Sequence, residues 1–204
     1  MSNRLLQQIL PTCLALQARR ILDRKIQSDR KLLSEKTVNI RQIEDLDLLT
    51  ENLKELYYDE LRRRETIESK AGALFSINSI VIPLLVIAYN TTNNQNGSNT
   101  GIIIANILLA ISVVYLTLSV TNAILAQKIS ATYKFTTQDL EIDTGKFQSI
   151  TSIDLKRKSK IYYISTRLNV STTAIKSNYV YAAQIDLRNG IVISIVALVL
   201  LIFS

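Results

Sequence analysis

Residues 71–89 read AGALFSINSIVIPLLVIAY, residues 90–100 read NTTNNQNGSNT, and residues 101–126 read GIIIANILLAISVVYLTLSVTNAILA. The two outer stretches supply 19 and 26 residues, largely apolar and without one charge. A bilayer core about 30 Å thick takes about 20 helical residues, so each is long enough to cross, the second with tilt. The stretch between them is polar, uncharged and rich in turn-forming Asn and Gly. The three together predict a transmembrane helical hairpin closed by a short loop.

Charge confirms where the apolar solvent would have to be. The chain has 204 residues with 24 Lys+Arg and 17 Asp+Glu, yet residues 71–127 and 189–204 carry none of them. A soluble domain spreads its charges over its surface; here they sit in two blocks, 1–70 and 128–188. Residues 190–203 (GIVISIVALVLLIF) form a third apolar run of 14 residues, about 21 Å as a helix and short of a full crossing. Residues 178–187 carry only Asp186 and can lengthen it, with Arg188 snorkelling to the headgroups. We therefore expect three spans, with a re-entrant half-span as the alternative for the last.

The expected fold class is an all-α integral membrane protein. Its parts are a basic, partly helical lead (1–40), a cytoplasmic helix (41–70), the hairpin (71–126), a cytoplasmic helical region (127–188) and a short third span (189–204). Basic residues set orientation. The hairpin loop has none, whereas 128–188 has ten against five acidic ones, and Arg62, Arg63, Arg64 and Lys70 flank the first span. This places both charged blocks and the N-terminus in the cytoplasm, with the 90–100 loop outside. Sequons at Asn90 and Asn96 read as chance matches in so tight a loop.

The N-terminal residues 5–16 (LLQQILPTCLAL) resemble a secretory signal only faintly, because Gln7 and Gln8 dilute the apolar run and Pro-Thr before Cys13 does not suit lipidation. The lead reads instead as an amphipathic or disordered segment held on anionic lipid by Arg4, Arg19, Arg20, Arg24 and Lys25, or as a solvated or subunit-packed helix. Farther on, Leu46, Leu49, Leu53 and Leu56 alternate spacings of three and four, a coiled-coil-like seam that predicts packing on a second helix or self-association. The seam is expected to break at Glu60 and Arg63. No Gly or Pro lies between Lys31 and Lys70, so this helix can run unbroken into the first span.

Residues 128–188 read as mostly helical with a break near Asp143, Thr144 and Gly145. Lys156, Arg157, Lys158 and Lys160 form the densest basic cluster, suited to anionic headgroups or phosphates, or serving only as a topology determinant. Tyr162, Tyr163, Tyr179 and Tyr181 are interface anchors or core residues. Direct nucleic-acid recognition is not expected.

The composition also thins out the chemistry. There is no His and one Cys, so the commonest general base, the commonest metal ligand and any multi-Cys zinc site are missing. Five scattered Gly build no phosphate-cradling loop. The chain reads as a non-enzyme with no cofactor. What the spans do carry is amides: Asn78 in the first, Asn106 and Asn122 in the second. Asn106, Ala110, Val113, Thr117 and Thr121 share one small, polar face. Such residues join helices by close approach and hydrogen bonds of about 0.6–2 kcal/mol, or line a water-filled path between assembled copies. Pro83 frees the carbonyl of Ser79, to be met by a hydroxyl.

At residues 65–80 (ETIESKAGALFSINSI) an acidic helix end, then Glu-x-Lys-Ala-Gly, then a span with an early Asn resembles the transmembrane effectors of prokaryotic antiphage defence. The pattern is similar to the Pycsar transmembrane effectors and the related SLATT two-span proteins, and the arrangement of residues 41–160 agrees. A terminal third span departs from the two-span plan. The resemblance implies a dormant homo-oligomerising membrane protein, switched on by a sensor protein or a cyclic nucleotide, that breaches the inner membrane and halts the infected cell. It implies Glu68 and Lys70 as the interface hinge and Asn78 as the polar group of the first span. It carries over no catalytic or ligand residue. A membrane anchor that recruits a cytosolic partner is the competing reading.

Overall fold

The computed structural model describes residues 11–34, 46–93, 100–129 and 152–203, and these are helical almost throughout. Four helices follow in chain order: α1 Pro11–Ser34, α2 Leu46–Asn93, α3 Thr100–Lys128 and α4 Ser152–Phe203. Pro11 opens α1 at the position where a missing N–H costs nothing. Helix α2 runs 48 residues without a break, as the lack of Gly and Pro upstream of the spans predicts. It continues through Pro83, whose side chain is exposed. The Ser79 hydroxyl donates to the carbonyl of Phe75 at 2.9 Å, so it is spent one turn upstream of the carbonyl that Pro83 frees.

Among the described residues, three helices are long and apolar enough to cross a membrane: α2, α3 and α4. The third run is not an isolated 14-residue segment. It is the end of the 52-residue α4, which stays helical through Asp186 and Arg188 and so gains the length that residues 190–203 lack. The hairpin-loop residues 94–99, with the Asn96 sequon, the break at Asp143, Thr144 and Gly145, and the lead residue Arg4 lie outside the described residues. So do the side chains of Lys25, Lys156 and Arg157.

The chain divides into two compact units. One comprises residues 1–18, 67–129 and 176–204, and holds the apolar helices. In it α2 and α3 run antiparallel, as do α3 and α4. The α3 contact face is Ala105, Leu109, Ser112, Leu116, Ser119, Ala123 and Ala126, all buried at spacings of three and four. The small-polar stripe singled out from sequence lies beside this face. Of Asn106, Ala110, Val113, Thr117 and Thr121, three are exposed and two half-buried, so that stripe points away from the helices of its own chain. The reason is steric. The Leu, Ala and Ser set interlocks with α4, where Gly190 lies so close that an added Cβ would stand 2.9 Å from Leu116 Cγ.

The other unit comprises residues 19–66 and 130–175. Here α2 and α4 run parallel: Thr50 meets Ser159 at 2.6 Å between hydroxyl oxygens, and the Tyr57 and Tyr162 rings lie 5.8 Å apart. The seam of α2 does not break at Glu60. It takes a four-residue step from Leu53 to Tyr57, leaves Leu56 54% exposed, and buries Tyr57, Glu60 and Arg64. In α1, Arg19 pairs with Asp23 at 3.5 Å.

Candidate functional site

In the unit that holds the apolar helices, the usual distribution of polarity is inverted. Phe75, Ile80, Leu84, Ile103, Val114 and Ile195 are exposed, whereas Asn78, Ser112, Ser119, Asn122, Lys176 and Asp186 are fully buried. A water-soluble unit would place these groups the other way round. In hydrocarbon the arrangement is the favourable one, because polar groups need protein partners there.

Two hydrogen-bonded centres lie one helical turn apart on α3 and α4. In the first, Asn78 donates from Nδ2 to the Leu74 carbonyl at 2.8 Å and to Ser119 Oγ at 3.0 Å. Ser119 passes its own proton to the Ala183 carbonyl at 2.8 Å. Asn78 thus joins the first span to the second, and Ser119 joins the second to the third. In the other, Asn122 Nδ2 donates to Thr12 Oγ1 at 2.8 Å and to Asp186 Oδ2 at 2.9 Å, and the Thr12 hydroxyl donates to the same Asp186 oxygen at 3.0 Å. Farther along, Ser112 Oγ donates to the Gly190 carbonyl at 2.7 Å.

The third feature is ionic. Glu68, on α2, pairs with Lys176 of α4, whose side chain is fully buried while that of Glu68 is 39% exposed. The helix is continuous through Glu68 and Lys70. Glu68 joins α2 to α4, and Lys70 is exposed.

The residues singled out from sequence are thus divided. Asn78 is fully buried and bonded to Ser119 of the neighbouring helix. Asn106 is half-buried, and among the described residues its Oδ1 has no hydrogen-bond partner. Thr117 and Thr121 are exposed and return their hydroxyl protons to the carbonyls of Val113 and Thr117, each four residues back, at 2.8 and 2.9 Å. Lys158 and Lys160 are half-buried on either side of the inward-facing Ser159. Among the tyrosines, Tyr179 is buried, Tyr163 and Tyr181 are exposed, and Tyr162 packs on Tyr57. Burial raises both hydroxyls of that pair from the ordinary phenol value, with the neighbouring tyrosines adding to it.

Sequence reasoning missed the Thr12, Asn122 and Asp186 centre and the partner of Glu68. Asp186 was legible as the one charge in an otherwise apolar decade. Its partners sit 64 and 174 residues away, and no local pattern joins them. Thr12 also ties the start of α1 to α3 and α4, and Pro11 and Ala15 beside it are buried.

The described residues, helical almost throughout, with three membrane-length helices and a polar interior, are compatible with a multi-pass membrane protein. Comparison with protein-family models, with curated proteins and with solved structures yields no match.

Proposed function

We propose that the chain is a membrane effector of a prokaryotic immune system: on a signal from a sensor protein or nucleotide it oligomerises and permeabilises the inner membrane. The observation that supports this most is the sealed polar interior of the apolar helices. Asn78, Ser119, Asn122, Asp186 and Thr12 bond one another within a protomer while the outer face is aliphatic. Parting the helices would turn these groups toward a shared aqueous path. The exposed Thr117 and Thr121, already satisfied by their own helix, suit contact with either lipid or a second copy. The similarity of residues 65–80 to antiphage effectors supplies the immune setting, and Glu68 with Lys176 is the pair whose breakage would accompany activation.

Membrane potential in cells expressing the protein with its genomic neighbours, under phage challenge, tests the reading. Depolarisation that Asn78→Leu abolishes at unchanged protein level is expected. A steady potential under genuine triggering would sink it.

A second reading, a membrane anchor that recruits a cytosolic partner, is favoured by one observation. Leu48, Leu56 and Tyr58 are exposed on α2 in the unit of residues 19–66 and 130–175. It predicts normal potential throughout, and capture of a partner that Leu56→Asp releases.

A further inference from the structure

The polar centre around Asp186 has acceptors left over. Asn122 spends both N–H protons of its amide, on Thr12 Oγ1 and Asp186 Oδ2, and Asn78 spends both of its own on Leu74 O and Ser119 Oγ. These partners fix which way each amide points. The consequence is that Oδ1 of Asn78, Oδ1 of Asn122 and Oδ1 of Asp186 are buried with no hydrogen-bond partner among the described residues. All three residues are fully buried. Ser119, which holds Asn78, and Asn122, which holds Asp186, are one turn apart on α3.

Charge is left over as well. Lys176 is given to Glu68 and lies ten residues away, about 15 Å along α4. Arg188 is exposed, with Nη2 donating to Asn189 Oδ1 at 3.3 Å. Lys70 and Lys128 are exposed, and residues 11–18 of α1 carry no charge. Among the described residues Asp186 has no ion-pair partner, and a carboxylate left uncompensated among apolar helices costs several kcal/mol.

We propose that Asp186, Asn122 and Asn78 form a binding site for one small monovalent metal cation, sodium or lithium in size. Oxygen ligands suit a hard cation. A single carboxylate matches a single positive charge, whereas a divalent ion would leave net charge buried. A proton on Asp186 would neutralise the carboxylate but could serve only one acceptor, leaving amide oxygens still unmet. A cation takes all three. Thr12 sits outside the ligand set: its hydroxyl holds Asp186 Oδ2, which turns Oδ1 inward and ties the start of α1 to the occupied site. The site does not require that the protein permeabilise membranes.

The test is thermal melting of the full-length protein in detergent, followed by circular dichroism, in sodium, lithium, potassium or choline chloride at equal ionic strength. Binding to the folded state alone raises the midpoint with ligand concentration. The expected result is a saturable rise in sodium or lithium that choline does not give and that acid competes away. Asp186→Asn should melt at one temperature in every salt, and Asn122→Ala should shift half-saturation up by about tenfold or more. Equal midpoints of the wild-type protein in all four salts would overturn the proposal and leave only bound water. A midpoint that rises with acid but ignores sodium would overturn it in favour of a simple proton. A sodium response surviving in Asp186→Asn or unchanged in Asn122→Ala would overturn this location.

Discussion

The residues that matter most are those whose side chains cannot move. Gly190 is one: its missing Cβ leaves room for Leu116, and an added methyl would meet Leu116 Cγ and Cδ2 at 2.9 Å and the Ser112 carbonyl at 3.3 Å. Leu116 is fully buried and has nowhere to turn. Gly190→Ala should therefore lower stability by about 1–3 kcal/mol, read as a lower melting midpoint in detergent, and Leu116→Ala in the same chain should recover part of the loss. Lys176 is another. Truncating Glu68 to Ala takes away the carboxylate facing a buried ammonium, a change that costs about 3 kcal/mol or more in comparable pairs. Lys176→Met keeps the volume and removes the charge, so it should be the milder variant, and its combination with Glu68→Met milder still than Glu68→Ala alone. Equal losses for Glu68→Ala and Lys176→Met would mean the pair is not what holds α2 to α4 there. Glu68 itself was visible in the sequence as a charge at a span boundary, but its role was not. A boundary position says nothing about which helix stands opposite.

At the level of elements, apolar length was the readable quantity and register was not. The hairpin follows from uncharged runs of sufficient length, and α2 and α3 match it closely. The leucine spacing carries the seam of α2 to Leu56, which looks like the next core position. The helix instead steps to Tyr57, which is 4% exposed against 54% for Leu56. An aromatic ring one position on offers more area to bury, and the Tyr162 ring of α4 meets it. Tyr57→Ala should then cost about 3 kcal/mol, while Leu56→Ala should stay within about 0.5 kcal/mol; reversal of that order would restore the simpler seam. The same pair gives a pH dependence. Burial raises the Tyr57 and Tyr162 hydroxyls above 10.0, so the unfolded chain ionises first. Their contribution is complete below the unfolded value and is lost as pH rises through the folded one. Melting midpoints should fall at alkaline pH, and less so when both are Phe. On α3, the small-polar stripe was chosen by residue type, whereas the true contact face, one residue over, is chosen by how closely Gly190 lets α4 approach.

For the whole molecule, the deciding relation is between charge and apolar length. Each of α2 and α4 contributes to both compact units, and each passes from a charged stretch into an uncharged one. By the positive-inside rule, the basic excess in residues 128–188 and the absence of charge in residues 90–100 give the expectation that the charged blocks are cytoplasmic. With α4 helical to Phe203, its apolar end has the length to reach the opposite face. On that expectation, a reporter that works only outside the cytoplasm, fused after Ser204, should be active, and one that fluoresces only in the cytoplasm should be dark at the same point. Fusions placed in residues 130–151 should give the reverse pair. If both C-terminal fusions report the cytoplasm, α4 ends as a half-span, and the Asp186 centre would lie near an aqueous face. Its carboxylate would then be solvated cheaply, and the pressure for a bound counter-ion would vanish. The topology of one helix end thus decides how strongly a single buried acid needs a partner.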